Sequence, residues 1–470
     1  MDLDHLVNRI GIEPSGNTIL GRYAKMVYNS NGVNYLESLF PYKRKIVDAS
    51  DKEKYYNEVS KMLSKRYTLE DVMGFANYQV YKPNWQSYNE ALGLFISAAV
   101  NKIVENTKRE GEKIKIEWTL EGPIDNLFYK LKDCEVHINK AGDELGENAE
   151  NSEFYVKKVG RDAGCLAKDS KFTINEVGDE LGYNAKGCEF DVGKAGNYAG
   201  FLAKDSKFTI NKTGDRLGEN AERCEFDVEK AGENAGRYAK DSKFTINEAG
   251  NHLGDSVERC EFYVGEAGGH AGFLAKDSKF TINEAGGSLG DNAENSEFYV
   301  GEAGENAGRY AKDSKFTINE AGNNLGINAE NSEFDVEKAR DCAGWQAEDS
   351  KFTINKAGGL FGYDAKGCEF DIGKAGNYAG SNAKDSKFTI NKAGDHLGDG
   401  SSGCEFYVGE AGGFAGCDAK DSKFTINKTR DFFGLDAKRC KFDVKCMDIT
   451  DHQRLEHSGQ IIKSKSMERR

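Results

Sequence analysis

Apolar and polar residues alternate in short segments that return every 18 residues through most of the chain. In the segment Ser170-Lys171-Phe172-Thr173-Ile174, three side chains point one way and the charged Lys and the Thr point the other way. This is the pattern of a β-strand with one buried face. A phenylalanine occupies the central position every 18 residues from Phe154 to Phe442. A fixed short period predicts a solenoid, in which each coil buries its apolar face against its neighbours.

Two kinds of coil alternate, so the full sequence period is 36 residues. Asp-Ser-Lys-Phe-Thr-Ile-Asn recurs unchanged at 169–175, 205–211, 241–247, 277–283 and 313–319. Coils stacked in register place equivalent side chains about 4.8 Å apart, where like charges repel. The residue before phenylalanine avoids this repulsion, and we expect a ladder of opposite charges. In successive coils that residue is Glu153, Lys171, Glu189, Lys207, Glu225, Lys243, Glu261 and Lys279.

Two further positions indicate how each coil turns. Glycine stands ten residues after the central position in every coil from Gly146 to Gly434, where the backbone must take a positive φ or press against the next coil. The asparagine three residues after phenylalanine, as in Asn175, Asn211 and Asn247, is predicted to turn the first corner in the left-handed conformation.

The interior of the coil is predicted to be solid. Nine residues after phenylalanine, Leu181, Leu217 and Leu253 alternate with Ala199, Ala235 and Ala271. The alanine coils carry Leu202, Tyr238 or Leu274 three residues later, which predicts one large core residue per coil. Eighteen extended residues enclose a perimeter of about 60 Å, which phenylalanine, isoleucine or valine and small residues fill without room for a ligand.

These periodicities predict a mainly β fold, a single-stranded parallel β-helix of about 18 coils of 18 residues over residues 113–446. Residues 1–112 lack the period and are predicted to form an α-helical N-terminal cap domain, because a solenoid end exposes unpaired strand edges. Residues 447–470 are predicted to be a charged C-terminal tail. A further hypothesis, that residues 1–110 bind a ligand or a nucleic acid, stays open.

The N-terminal region has helical patterns in three segments. In residues 51–66, Tyr55, Val59, Met62 and Leu63 share one face. The segment 68–71 (Thr-Leu-Glu-Asp) resembles a capping box. A long amphipathic helix follows Pro83, and we interpret its apolar stripe as core. The stripe comprises Leu92, Phe95, Ile96, Ala99, Val100, Ile103 and Val104.

Composition and charge limit the classes of function that the sequence predicts. Hydrophobic residues make up only 38% of the chain, which is natural for a thin solenoid. The net charge of −14 argues against nucleic-acid binding, which requires concentrated Lys and Arg. No secretory h-region follows the N-terminus, and the longest nearly apolar run, Leu92–Val100, is too short for a bilayer span. We therefore expect a soluble cytoplasmic protein without membrane contact.

Seven of the eleven cysteines stand two residues before the central position. They are Cys134, Cys188, Cys224, Cys260, Cys368, Cys404 and Cys440. Serine, as in Ser170, Ser206 and Ser242, fills this position on the intervening coils, so the nearest sulfurs would be about 9–10 Å apart. That distance excludes a disulfide or a shared metal ion, and we interpret the column as small buried residues.

Several corners have the form G-x-A-G-x-x-x-G, as in Gly193 to Gly200, Gly265 to Gly272 and Gly301 to Gly308. This spacing resembles the GXGXG-type repeat of the right-handed β-helix at the C-terminus of the glutamate synthase large subunit. It is also similar to the β-helical subunit of formylmethanofuran dehydrogenase. The resemblance covers about residues 113–445 and implies a scaffold that packs against catalytic parts without catalytic residues of its own. The chain departs from the pattern, since Asp-Ser or Arg-Cys replaces the usual Gly-Gly before the strand.

Motifs for catalysis are lacking in the sequence. It contains no Walker loop, Rossmann fingerprint, nucleophile elbow, paired CxxC or HExxH. His252 and His270 occupy equivalent positions one coil apart, which predicts a separation of about 5 Å, but no third metal ligand accompanies them. We therefore predict no catalytic, cofactor-binding or metal-binding residue, no cofactor, and no catalytic activity of the chain itself.

One irregularity near the C-terminal end of the coils is a candidate partner site. Eight residues after phenylalanine, early coils carry polar residues such as Glu180, Arg216 and Asn234. Five successive later coils carry Leu360, Tyr378, His396, Phe414 and Phe432. Stacked in register, these would form a stripe about 20 Å long for a protein partner or for self-association. The alternative is that the tail or a shifted corner buries them.

The leading hypothesis is therefore a non-catalytic structural scaffold or protein-interaction protein. The alternative is a scaffold subunit of a redox or amidotransferase-like enzyme complex, by analogy with glutamate synthase and formylmethanofuran dehydrogenase.

Overall fold

The structure is a computed structural model, and it describes residues 31–40, 45–46, 48–64, 67–107, 112–430, 432–447 and 462–464. The chain divides into two compact units, residues 1–228 and 229–470. Among the described helices, none has the length and apolarity needed to cross a bilayer.

In its described residues, the first unit contains four α-helices ahead of the strands. They are α1 (Asn31–Leu39), α2 (Ala49–Met62), α3 (Leu69–Val80) and α4 (Asn89–Thr107), with a short 3-10 helix (Trp85–Tyr88) before α4. Asp48 caps α2 by accepting from the Asp51 N–H at 2.9 Å. The predicted capping box before α3 is confirmed: the Thr68 side chain accepts from the Asp71 N–H, and the Asp71 side chain accepts from the Thr68 N–H.

Aromatic side chains form the core of this helical region. Phe40, Phe75 and Phe95 pack with ring centroids 5.1 to 5.7 Å apart, and all three are buried. The stripe of α4 is core, as predicted, although Ile103 is only half-buried. The prediction for Met62 is wrong: it is the last residue of α2, and half of its surface is exposed.

The helices contact the first coil through polar side chains. Asn77 of α3 donates to the Thr119 carbonyl and accepts from the Glu121 N–H, both at 2.9 Å. Asn101 of α4 donates to the Tyr129 carbonyl at 2.9 Å. Backbone groups at the end of the solenoid are thereby paired, which is what a cap must do. Whether residues 1–112 form a domain of their own stays a prediction, as does the boundary at 446.

The remaining elements are strands, one per 18-residue coil up to β19. Their bounds are β1 Ile114–Trp118, β2 Cys134–Lys140, β3 Glu153–Lys158, β4 Lys171–Glu176, β5 Glu189–Lys194, β6 Lys207–Lys212, β7 Glu225–Ala231, β8 Lys243–Ala249, β9 Glu261–Ala267, β10 Lys279–Ala285, β11 Glu297–Ala303, β12 Lys315–Ala321, β13 Glu333–Ala339, β14 Lys351–Lys356, β15 Glu369–Lys374, β16 Lys387–Lys392, β17 Glu405–Ala411, β18 Lys423–Thr429, β19 Lys441–Met447 and β20 Ile462–Ser464.

Within each unit, consecutive strands pair in parallel and in register. In the first unit Phe154 lies beside Phe172, and in the second Phe280 lies beside Phe298. The short β20, from the predicted tail, pairs with β19, so that Ile462 lies beside Phe442. The predicted fold class, a parallel β-solenoid of 18-residue coils with a helical N-terminal region, is confirmed.

The central phenylalanines stack face to face inside the coils. From Phe154 to Phe226 in the first unit, neighbouring ring centroids lie 4.6 to 5.1 Å apart and the rings tilt by 5° to 10°. From Phe244 to Phe442 in the second unit, the separations again span 4.6 to 5.1 Å. Each buried ring contributes about 1.5–3 kcal/mol of stabilisation.

The column of serine and cysteine is a hydrogen-bonded ladder beside the rings. The Cys188 N–H donates to Ser206 Oγ at 3.1 Å, and Ser206 Oγ donates to the Lys204 carbonyl at 2.7 Å. None of the eleven cysteines, all of them in the described part of the chain, forms a disulfide, and the seven in the column are buried. Burial raises the pKa of Cys188 to about 11, as expected for an unreactive thiol.

The corners differ from their prediction. Asn175, Asn211 and Asn247 lie inside β4, β6 and β8, so the prediction that they turn a corner in the left-handed conformation is wrong. Left-handed residues instead follow phenylalanine by eight, ten, twelve and fifteen positions, as at 180, 182, 184 and 187. The strand therefore runs one residue past Asn175, and the left-handed positions lie between its end and the next strand.

The predicted exchange of large core residues is also wrong. Leu181 and Leu217 are buried, as are the alanines of the alternate coils. Tyr238 and Leu274, however, are 41% and 42% exposed, because they lie at left-handed corner positions whose side chains point outwards.

The ladder of opposite charges has the predicted register. Lys171 pairs with Glu189, with 3.6 Å between Nζ and Oε2. Shorter ion pairs occur in a second column, four residues before phenylalanine, such as Lys204–Glu222 at 3.1 Å. These groups lie at the surface, and of the four named only Glu222 is half-buried, so each pair contributes about 0–1 kcal/mol and the ladder mainly specifies register.

The glycines ten residues after phenylalanine lie against the stacked phenylalanine rings. Substitution of Gly290 tests whether this close contact stabilises the fold. Its φ is +61°, and an added Cβ would come within 2.8 Å of the Phe298 and Phe316 rings. We expect Gly290→Ala to lower the free energy of unfolding by about 2–4 kcal/mol, from left-handed strain plus overpacking. Urea unfolding followed by circular dichroism measures this loss.

Gly287, in the same coil, provides the control. Its nearest atoms would be 3.7 Å from an added Cβ, and its φ is not left-handed. Gly287→Ala should change stability by less than about 1 kcal/mol. Equal losses in the two variants would contradict the role assigned to the ring stack.

Candidate functional site

The candidate site lies on one corner of the coils in the second unit. It is formed by the stripe, which we define as Leu360, Tyr378, His396, Phe414 and Phe432. Each stripe residue stands eight positions after a central phenylalanine, with φ between 54° and 62°. Large side chains are uncommon at such φ values. Earlier coils of this unit place Asn234, Asn306 and Asn324 at the same corner, a residue type that tolerates the left-handed conformation.

The aromatic members of the stripe stack on one another. Tyr378 and His396 have ring centroids 4.6 Å apart and tilt by 6°. His396 and Phe414 are 5.0 Å apart, and Phe414 and Phe432 are 5.4 Å apart, both nearly parallel. The structure therefore brings the predicted residues together in register.

The stripe is accessible over most of its length. Leu360, Tyr378 and Phe414 are 38% to 40% exposed, whereas His396 and Phe432 are half-buried. The neighbouring Phe361 and Phe433 point the other way and are buried. The alternative that the C-terminal tail covers the stripe concerns mainly residues 448–461 and 465–470, which lie outside the described residues.

Side chains just before the stripe hold consecutive corners together. Asn377 Oδ1 accepts from the Asp395 N–H, and Asp395 Oδ1 accepts from the Gly413 N–H, both at 2.9 Å. A Cβ on Gly394 or Gly412 would come within 2.2 Å of these oxygens. Glycine in one coil thus leaves space for the amide or carboxylate side chain of the coil before it. These hydrogen bonds hold consecutive corners, and with them the stripe residues, in register.

Carboxylates flank the stripe, and we call Asp364, Asp395, Asp399 and Asp418 the acidic rim. Asp364 and Asp418 are exposed, and the other two are half-buried. His396 Nδ1 lies 3.7 Å from Asp399 Oδ2. Burial raises the pKa of the Asp399 carboxyl, and the neighbouring His396 opposes this shift. The surface is therefore apolar along its centre and negative at its edges.

Three residues that extend the stripe were missed by the sequence analysis. Trp345 and Leu435 are 36% and 38% exposed, and Tyr363 packs against Trp345 with ring centroids 6.0 Å apart. All three stand eleven positions after a central phenylalanine. In the first unit, Tyr198 and Phe201 show that positions eight and eleven touch within one coil, with ring centroids 5.7 Å apart. A comparison of both positions along the sequence could have found them.

The histidine pair has the predicted spacing. His252 and His270 stack with ring centroids 4.9 Å apart, and His252 Nδ1 lies 3.0 Å from Asp255 Oδ2. Burial raises the pKa of Asp255, and the hydrogen bond to His252 opposes this shift. In the part of the chain that the structure describes, no three His, Cys, Asp or Glu side chains are placed to hold a metal ion together.

A small groove lies in the helical region of the first unit. Its volume is about 320 Å³, and its walls are formed by α2 and α4, with Tyr56, Lys61, Lys102 and Glu105 among the lining residues. Asn101 donates to Tyr56 Oη at 2.7 Å, so the groove is polar and partly organised. The hypothesis that residues 1–110 bind a ligand would be tested at this groove.

Comparisons with protein-family models, with curated proteins and with solved structures found no match for this chain. Its function is therefore inferred from the geometry of the stripe.

In the first unit, the corner position of the stripe carries acidic residues, Glu144, Asp162 and Glu180, on successive coils. Burial, together with the neighbouring Glu180 carboxylate, raises the pKa of Asp162 to about 7. An unfolded Asp titrates near about 3.9. Between pH 4 and pH 7 the folded state thus retains a proton that the unfolded state has lost. This group consequently lowers the stability of the fold as the pH rises through that window.

Asp162→Asn should remove this pH dependence. Asparagine tolerates the φ of 60° at this position, so the corner is preserved. We expect the variant to match the wild type near pH 4 and to be about 1 kcal/mol more stable at pH 8, after allowance for solvent screening. Urea unfolding at both pH values measures the difference. Asp191→Asn, on the exposed face of β5, is the control, and an equal pH effect there would contradict the assignment to Asp162.

Proposed function

We propose that the protein is a non-catalytic cytoplasmic scaffold that binds a partner protein through the stripe. The observation that carries the proposal is the stack of exposed, bulky side chains at left-handed backbone positions. Other coils show that polar residues meet the same backbone requirement, so the fold does not itself require Leu, Tyr or Phe there.

The free-energy cost of the stripe supports the proposal that it contacts another molecule. A left-handed residue with a large side chain costs about 1–2 kcal/mol. Stacking between neighbouring rings returns about 0.5–1.5 kcal/mol per pair, but the exposed edges gain little from the chain's own packing. Strained residues that the fold does not need are typical of functional surfaces.

The solenoid gives such a surface a rigid support. Because Tyr378, His396 and Phe414 stack on one another and the side chains of Asn377 and Asp395 bond the following coils, the apolar edges are presented at regular intervals. Pre-organised aromatic side chains lose little conformational freedom on binding, and they are enriched at the centres of protein interfaces. Scaffold binding needs no catalytic residue, only this fixed spacing.

A finer proposal is that the partner is an enzyme subunit with a redox or amidotransferase activity. It is supported by the G-x-A-G-x-x-x-G spacing, which resembles the glutamate synthase and formylmethanofuran dehydrogenase β-helices. In this chain Gly196 makes room for the Asp179 side chain, and Gly200 lies against the Phe208 and Phe226 rings. Co-purification of iron–sulfur or flavin subunits with the chain would support this version, and their absence from the purified complex would contradict it.

The double substitution Tyr378→Asn and Phe414→Asn tests the stripe. Asparagine suits the left-handed backbone, so relief of strain should offset the lost stacking and keep stability within about 1 kcal/mol of the wild type. The partner should then be lost from affinity purifications out of the native cell, because the apolar edges are gone. Sedimentation velocity of the purified chain shows whether a second copy is the partner.

The control is Tyr238→Asn with Leu274→Asn. These residues are equally exposed and also left-handed, but they lie outside the stripe. This variant should keep the wild-type partners and the wild-type sedimentation profile. If the Tyr378/Phe414 variant also keeps both, while remaining folded, the stripe does not bind a partner.

A further inference from the structure

We propose that the partner segment bound by the stripe is basic, with Arg or Lys side chains next to its apolar residues. This inference rests on the proposed function and adds the chemistry of the partner. It comes from the charges around the stripe and from the way other coils satisfy the same corner.

The first observation is the one-sided charge of four of the five stripe corners; the fifth, which carries Phe432, contains Arg430. Its first four corners, residues 358–365, 376–383, 394–401 and 412–419, contain the four carboxylates of the acidic rim and no Lys or Arg. Within these corners the basic neighbour of the rim is His396, which lies 3.7 Å from Asp399. Among the described residues, no Lys or Arg forms an ion pair with the rim.

The second observation is that the same corner elsewhere contains its own arginines. In the first unit, the Arg216 guanidinium lies over the Tyr198 ring at 5.1 Å, and Arg161 pairs with Asp143 at 3.1 Å. In the second unit, Arg309 pairs with Asp291 at 2.5 Å. Two of these arginines lie over an aromatic ring, Arg216 over Tyr198 and Arg309 over Tyr310, so in these coils the chain itself provides the cation. The first four corners of the stripe contain no such arginine, and we infer that the partner provides the cation.

The third observation concerns which parts of the rings are free. Tyr378, His396 and Phe414 stack face to face, so their faces are largely occupied by one another. The edges that remain can contact apolar side chains, while a cation would go to the carboxylates beside them. Five coils span about 19 Å, which equals the length of a helix of about 13 residues. A short basic amphipathic helix therefore fits the length and the charge of the surface.

The experiment uses two labelled helical peptides and the full-length chain. Both peptides, of about 14 residues, carry leucines along one face; one has arginines on the flanks and the other has glutamates there. Fluorescence anisotropy measures their affinities. We expect the arginine peptide to bind at least about tenfold more tightly than the glutamate peptide, and to weaken as salt is raised.

Two charge-matched variants locate the effect. Asp364→Asn, Asp399→Asn and Asp418→Asn together should weaken the arginine peptide by about tenfold, because three rim charges are removed. Asp191→Asn, Asp335→Asn and Asp371→Asn remove the same charge from exposed strand positions and should change the affinity by less than about twofold. Both triple variants should remain folded, as circular dichroism would show.

Equal weakening in the two triple variants would overturn the inference, because net charge alone would then explain the binding. Equal binding of the two peptides would also overturn it, because apolar contact alone would then be sufficient. These outcomes are distinct from failure of the proposed function. If the rim variant has no effect but Tyr378→Asn with Phe414→Asn abolishes the native complex, the stripe binds a partner that is not basic. If both variants leave the native complex unchanged, the proposed function fails as well.

Discussion

Face-to-face stacking of one phenylalanine per coil is the interaction on which the rest of this structure depends. Rings can stack at 4.6 to 5.1 Å only if each coil contains the same number of residues and lies in register with the next. A constant coil length, here 18 residues, therefore follows from the stacking. The glycine against the rings, the serine and cysteine ladder beside them and the charge columns outside all follow from this register.

The same requirement explains why the corner can bear a binding surface. A corner whose backbone is held left-handed by its neighbours accepts many side chains at a modest cost in free energy. Leu360, Tyr378 and Phe414 use this tolerance, and they point outwards because the following residue, such as Phe361, points inwards. Core and surface are thus specified by adjacent positions, and substitutions at the surface position need not disturb the core.

Much of the fold could be predicted from the sequence, because strand period, coil length and charge alternation are all local properties repeated many times. The corners could not be predicted equally well. Asn175 is a residue type that favours turns, but its strand continues to Glu176, and Glu180 and Asn184 occupy left-handed positions. Residue type predicts φ poorly where the packing of neighbouring coils determines φ. Likewise, Tyr238 is large enough for the core, yet its corner directs it to solvent. The stripe was predictable from its spacing, and Trp345 could be found in the same way, because the column eleven positions after phenylalanine also points outwards.

The alternation of Glu and Lys before phenylalanine, which runs from Glu153 to Lys423, has a consequence for how such a chain can change length. Loss of a single coil would bring two residues of the same sign into adjacent rungs, and the large-small alternation beside them would fail at the same place. Removal or gain of two coils would preserve both alternations. The array should therefore tolerate changes of length by two coils better than changes by one coil.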